Sequence, residues 1–335
     1  MKRRTILKVT SLTAAAAAAG VLPKIAFSQT RWDLANEYES GSLHAETDRV
    51  FADTLEELTN GEIQITHHTG GALGYDSVDH FDAVGDGALP MADTLLTQLG
   101  GINQLFELSS LPFLVADMEE ARILWEIAQP YYDEVFRANN QILLYASAWP
   151  PSGIWADRPI RSMEDLDGLR IRTYDANGTR TFRESVGRPN QLSWSDVIPQ
   201  LQAGGIDAVL TSAEGGVAAS MWENLAAFTE INYASPLNAG HINKMEFEAL
   251  SGDQQDAVMQ AAQAAIDYTW ENVPRRVEQN YAEMEEHGVD IETSPDAEMM
   301  EHLQEAAESV IERWSDGAGS AGQEILDEFY SRVGR

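Results

Sequence analysis

Two arginines, Arg170 and Arg172, stand two residues apart in Asp165–Gly178, DLDGLRIRTYDANG, within a 335-residue chain of formal net charge −32. A guanidinium is a planar fork with parallel donors, and that geometry suits a carboxylate. On a strand, residues i and i+2 share a face. The plain alternative for Arg172 is a structural salt bridge, and Arg170 is placed nearer the exposed edge. The other chemistry-bearing residues exclude more than they suggest. There is no cysteine, so disulfides, thiolate metal sites and thiol nucleophiles are ruled out. His67 and His68 are adjacent in the strand-like EIQITHH and would point to opposite faces, so no metal is expected there. TGGALG, Thr69–Gly74, is too loose for a phosphate loop, and no nucleotide-binding or nucleophile-elbow motif appears. The 54 acidic residues are too many for one pair to stand out as acid and base. Neither an enzyme nor a cofactor is expected. Trp149, Trp155 and Trp194 fall at strand ends or loops, where an aromatic can pack or wall a ligand. Trp125 and Trp270 fall in helical patterns and are read as core.

The apolar fraction of 44% is that of a globular chain. The acidity therefore indicates a solvated surface, and it argues against nucleic acid, which needs clustered Lys and Arg. No apolar run is long enough to span a bilayer. MKRRTILKVTSLTAAAAAAGVLPKIAFSQT has a basic start, an alanine-rich middle and small residues before Gln29, the pattern of an export signal. Arg3-Arg4 resembles a twin-arginine signal, with an ordinary Sec signal as the alternative. Residues 1–28 are read as signal, cleaved near Ser28, and the protein as periplasmic. Loss of the five Lys and Arg residues in that stretch would leave a charge of about −37.

The elements that must position Arg172 follow from periodicity. RWDLANEY, EIQITHH and ALPMADTLL read as strands, with helices in SLHAETDRVFADTLEELTNG and SVDHFDAVGDG between them. This βαβαβ order predicts a parallel sheet with helices on its faces. A second α/β block follows. QILLYASAW, GLRIRTY, QLSW and IDAVLTS read as strands, NGTRTFRESVG and SDVIPQLQAGG as helices. Two long helical stretches then begin at SGD and SPD caps. Two α/β lobes behind an export signal predict a binding protein that closes on a ligand by hinge motion, with the ligand at the carboxyl ends of the strands.

EELTNGEIQI, GGALG, SSLPFLVADMEEA, IRSMEDLDGLRIRTYDANG, SWSDVIPQLQAGGIDAV and INKMEFEALSGDQQDAV, in this order, resemble the DctP-like solute receptors of tripartite ATP-independent periplasmic (TRAP) transporters. DLDGLRIRT and LQAGGIDA are the most specific parts. The resemblance implies the α/β periplasmic-binding-protein fold: two lobes, each with a parallel-type sheet flanked by helices, a hinge cleft, and a long helix spanning both. Residues 29–149 and 238–277 are expected in lobe I, and 150–237 and 278–335 in lobe II. It implies capture of a small molecule and its delivery to TRAP membrane permease subunits, and the chain is expected to be a monomer. It implies that Arg172 pairs with a ligand carboxylate. By the same resemblance Trp194 is a pocket aromatic, Thr211 stands where the family usually has an asparagine, and Asp76 follows the ALG turn bordering the pocket. Glu37 matches a polar position after the first strand, and Ala176 one close behind the arginine. Trp149 is carried as a candidate wall residue. Many members have a further arginine where this chain has Ser152, and DAVLTSAEGG replaces their DGQENP. Glu214 and Glu37 could therefore add negative charge to the cleft, suiting an acid that also bears an amino group, although Glu214 could equally face solvent or cap a helix. Two alternatives stand beside the organic-acid reading: a receptor for a small amine held by acidic residues, and a sensor of the same fold that signals to a membrane kinase.

Overall fold

The computed structural model describes residues 29–185 and 187–335; the export-signal reading of residues 1–28 lies outside them. In chain order the elements are β1 Thr30–Ala35, α1 Leu43–Leu58, β2 Ile63–His68, α2 Ser77–Gly85, β3 Met91–Leu95, α3 Met118–Ala138, β4 Gln141–Ala148, β5 Ser152–Ala156, α4 Met163–Leu166, β6 Arg170–Thr173, α5 Ala176–Glu184, β7 Arg188–Gln191, α6 Val197–Gln202, β8 Ala208–Ser212, α7 Ala213–Ala218, β9 Ala227–Thr229, β10 Leu237–Asn243, α8 Lys244–Glu248, α9 Gly252–Glu286, β11 Asp290–Glu292 and α10 Ala297–Val333. They build two sheets, β2-β1-β3-β10-β4 and β11-β9-β5-β8-β6-β7.

Each sheet is parallel where βα units repeat, as in β1 with β2 and β3, and β6 with β7 and β8. Each also takes an antiparallel strand, which the expectation of parallel-type sheets did not include. In the first sheet, β10 runs antiparallel to β3 and β4. In the second, β5 runs antiparallel to β8 and β9. The reason is connectivity: β4 leads through Trp149–Pro151 into β5 of the other sheet, and β9 returns through residues 230–236 into β10. The two crossings bind each other. Trp149 N donates to Pro236 O at 2.9 Å, Ser152 N to Ala234 O at 2.9 Å, and Tyr233 N to Ser152 O at 2.9 Å. These paired crossings are the hinge between the two lobes.

Helix α9 starts at a capping box between Ser251 and Gln254, which satisfies two orphan backbone donors. Its Ala257, Ala261 and Ala265 pack on the first sheet with Trp32, Phe51 and Leu144. Further along, Met284 enters the core of the second lobe with Trp155, Phe182 and Val209. The last helix, α10, runs beyond the stretch marked by its SPD cap and breaks at Gly319, where φ is 64° and ψ −149°. Met299 and Leu303 pack in the second lobe's core, but Ile325, Leu326 and Phe329 pack with Trp125 and Tyr132 of α3. Residues 278–335 therefore do not pack with one lobe alone. Among the described residues no helix is long and apolar enough to cross a membrane.

Candidate functional site

Between the lobes lies a cavity lined by Tyr38, Leu95, Trp149, Ser152, Arg172, Tyr174, Trp194, Thr211, Ser212 and Pro236; the space around it, open solvent included, is about 320 Å3. The second sheet explains the convergence. Arg172 lies at the carboxyl end of β6, Thr211 and Ser212 at that of β8, and β5 runs the other way, so its first residue Ser152 pairs with Ser212. Carboxyl ends of parallel strands are where α/β sheets hold ligands. Gly215 packs against this wall. A Cβ there would come within 2.5 Å of Thr211 Oγ1, 3.5 Å of Trp194 and 3.6 Å of Trp149.

Arg172 is 2% exposed. Its Nε donates to Leu192 O at 3.0 Å and its Nη1 to Leu210 O at 3.4 Å. Among the described residues no carboxylate is in ion-pair contact with it, and no cavity-lining residue is acidic. Its guanidinium lies 5.5 Å from the ring centre of Trp194 and 6.0 Å from that of Tyr174, within reach of cation–π attraction. Burial lowers its pKa from the ordinary value, while nearby Tyr38 and Glu37 oppose the shift. A buried cation of this kind is costly without an anion. Arg170, two residues earlier, is exposed and bonded through Nε to Asp207 at 2.7 Å.

The aromatics form a wall. Tyr38 meets Trp149 edge-on at 4.8 Å and Trp194 at 6.1 Å. Trp149 is fixed by its Nε1 donating to Asn238 Oδ1 at 2.8 Å, and Asn238 Nδ2 in turn donates to Asp93 Oδ1 at 2.5 Å. Behind it His44 lies 3.9 Å away, ring centre to ring centre, and burial pulls the His44 pKa down to about 3. Trp155 is fully buried core. Trp194 lies in a short turn, Trp194–Asp196, not in the strand expected over QLSW; the strand is Arg188–Gln191.

Of the residues singled out from sequence, Arg172, Trp194, Thr211 and Trp149 line the cavity, and so does Ser152. Glu214, Glu37, Asp76 and Ala176 do not. Glu214 is buried and fully engaged. Its Oε1 accepts from Leu43 N at 2.7 Å and Arg276 Nη2 at 3.0 Å, and its Oε2 from Arg276 Nε and Asn280 Nδ2, both at 2.7 Å. Glu37 accepts from Ser77 Oγ at 2.6 Å and Ser77 N at 3.2 Å, and burial raises its pKa above the usual carboxylate value. Asp76 is the N-cap residue of α2 and half-buried. Ala176 is the first residue of α5. The two histidines meet different carboxylates: His67 Nε2 lies 2.9 Å from Asp48, and His68 Nε2 lies 2.7 Å from Asp33. Sequence reasoning missed Tyr38, Leu95, Tyr174, Ser212 and Pro236. Only Tyr174 carried a usable signal, two residues beyond Arg172.

A family model described as bacterial extracellular solute-binding protein, family 7 (DctP), matches residues 35–316. The ectoine-binding periplasmic protein TeaA of Halomonas elongata is 24% identical over 304 residues, covering 89% of this chain and 88% of that protein. The Bordetella pertussis extracytoplasmic solute receptors DctP6 and DctP7, solved as binding pyroglutamic acid, are each 26% identical with a TM-score of 0.86. Both alignments cover 90% of this chain, with 100% of DctP6 and 99% of DctP7. The chain belongs to family 7 of the bacterial extracellular solute-binding proteins, the DctP receptors of TRAP transporters.

Proposed function

We propose that this receptor captures a small monocarboxylate on Arg172 and delivers it to the membrane permease subunits of a TRAP transporter. The observation that carries the reading is the buried, unpaired guanidinium of Arg172 in a cavity without acidic lining. A carboxylate supplies the missing anion through the two-pronged geometry of the fork. The aromatic wall favours a flat or cyclic body, and Ser152 and Thr211 offer hydroxyls to a further polar group. Pyroglutamate, which DctP6 and DctP7 bind, has this chemistry: a five-membered lactam with one carboxylate. A simple amine is disfavoured, because Glu214 and Glu37 are engaged elsewhere. Catalysis is not expected: among the described residues Ser152 Oγ hydrogen-bonds only to the Tyr174 hydroxyl, 3.4 Å away, and that is no general base. Export by the twin-arginine route, cleavage near Ser28 and a monomeric state belong to the same proposal.

Calorimetry on protein unfolded and refolded to strip bound solute tests it. L-pyroglutamate is the first probe and 2-pyrrolidinone, the same lactam without the carboxylate, is the control. Binding of the acid with none of the neutral lactam is expected. A co-purifying solute identified by mass spectrometry as an amine lacking any carboxylate would overturn the reading.

A further inference from the structure

We propose that Glu39 and Glu214 are the two arms of a clasp that holds the lobes closed without touching the solute. The inference rests on the reading of this chain as a receptor that closes on its ligand. Both arms meet the short segment Glu39–Leu43, between β1 and α1 of the first lobe. At one end Glu39 accepts a hydrogen bond from Trp194 Nε1 of the second lobe, 3.2 Å to Oε1 and 3.3 Å to Oε2. Trp194 is the ring that lies over Arg172, so Glu39 fixes a cavity wall from the opposite lobe while lying outside the lining set. At the other end Leu43 N is the first amide of α1, a donor that no intrahelical carbonyl can reach. It donates to Glu214 at 2.7 Å, and Glu214 stands on α7 of the second lobe. A carboxylate at a helix N-terminus is favourable in both charge and hydrogen bonding.

Arg276 of α9 completes the second arm. It binds Glu214 through Nε and Nη2, reaches Glu46 of α1 at 3.3 Å, and donates to the carbonyl of Gly41. Opening the cleft would return the Leu43 amide and the Trp194 indole to water and leave Glu39 and Glu214 each short of a partner. Since a receptor's apparent affinity scales with its closed-competent fraction, the clasp sets affinity from outside the cavity. Glu39 is a positioning residue for Trp194, and Glu214 one for the α1 terminus.

The chain has no cysteine, so Glu57→Cys on α1 and Asp167→Cys beyond α4, both exposed, give two clean spin-label sites, one per lobe. Inter-label distances are read on solute-stripped protein. Glu39→Ala and Glu214→Gln are each expected to lower the closed-to-open ratio about tenfold, the scale of one hydrogen bond to a charged group. L-pyroglutamate affinity should fall by the same factor. Thermal unfolding of solute-free Glu39→Ala should match that of the parent, because that side chain is half-buried at the surface. If Glu214→Gln fails to fold, Glu39→Ala decides alone. Identical solute-free distance distributions in parent and Glu39→Ala would overturn the clasp. Failure of pyroglutamate to bind would instead count against the ligand reading, since the distances are taken without solute.

Discussion

Two buried charges, fewer than fifty residues apart in sequence, are handled in opposite ways. Glu214 is 1% exposed and its two oxygens accept four hydrogen bonds, two of them from Arg276. Arg172 is 2% exposed and, among the described residues, meets only two backbone carbonyls and two aromatic faces. Taking a charge out of water is tolerated only when its surroundings replace the hydration. Around Glu214 the fold supplies the replacement; around Arg172 it supplies part of it, and in the proposed function a ligand anion would complete it. Burial alone therefore does not mark a functional charge. Incomplete pairing within a cavity does.

The largest expected effect tests that contrast directly. Arg172→Ala should reduce affinity for a carboxylate ligand about thirtyfold to several-thousandfold, roughly 2–5 kcal/mol, by calorimetry. Arg172→Lys should recover only part, because an ammonium lacks the planar fork. The solute-free melting temperature of Arg172→Ala should hold or rise, since an uncompensated buried cation is removed. Glu214→Ala should behave in the opposite sense. It strands Arg276, Asn280 and the Leu43 amide, and should cost about 2–4 kcal/mol of stability in denaturant titrations. Equal destabilisation by the two alanine variants would erase the distinction drawn here.

A smaller effect concerns pH. Burial lowers the pKa values of His44 and His241 to about 3 and that of His80 to about 4. The unfolded chain protonates these rings near pH 6.5, whereas the folded chain resists until pH 3–4. Their contribution is thus complete above pH 6.5 and is lost progressively as pH falls towards 3–4. Asp175, its pKa pushed up to about 6 by burial, acts with the other sign: its destabilisation at neutral pH is relieved as pH falls through 6. The net slope therefore mixes both, and a variant isolates the histidine part. Relative to the parent, His44→Gln should lose up to about 1.4 kcal/mol of acid destabilisation per pH unit between pH 6 and 4. An unchanged slope would mean that His44 does not stay neutral behind Trp149.

The smallest expected effect separates the ring of Trp194 from its N–H. Trp194→Phe keeps an aromatic over Arg172 but removes the donor to Glu39, so affinity should fall about tenfold or less. The ligand-induced tryptophan fluorescence change should shrink with it. A response identical to the parent's would assign the signal to Trp149, the other tryptophan of the cavity wall.

The repeated βα units were legible because strands and helices with one buried face write that face into their period, as in EIQITHH and SLHAETDRVFADTLEELTNG. The strands Ser152–Ala156 and Leu237–Asn243 were not, because Gly153 and Gly240 interrupt their apolar runs, and a glycine inside a strand pattern weakens the signal. QLSW read as a strand, yet its Trp194 turns into the cavity wall. What the sequence determined by itself was local and patterned: the α/β blocks, the helix caps, the absence of thiol chemistry, and an arginine on a strand of the second block. What only the tertiary structure decided was which charges meet. Glu214 and Arg276 are 62 residues apart, and Trp194 and Glu39 are 155 apart. No spacing rule links such pairs. Whether a carboxylate faces a cavity or caps a helix of the other lobe depends on where two hinge crossings bring the sheets together.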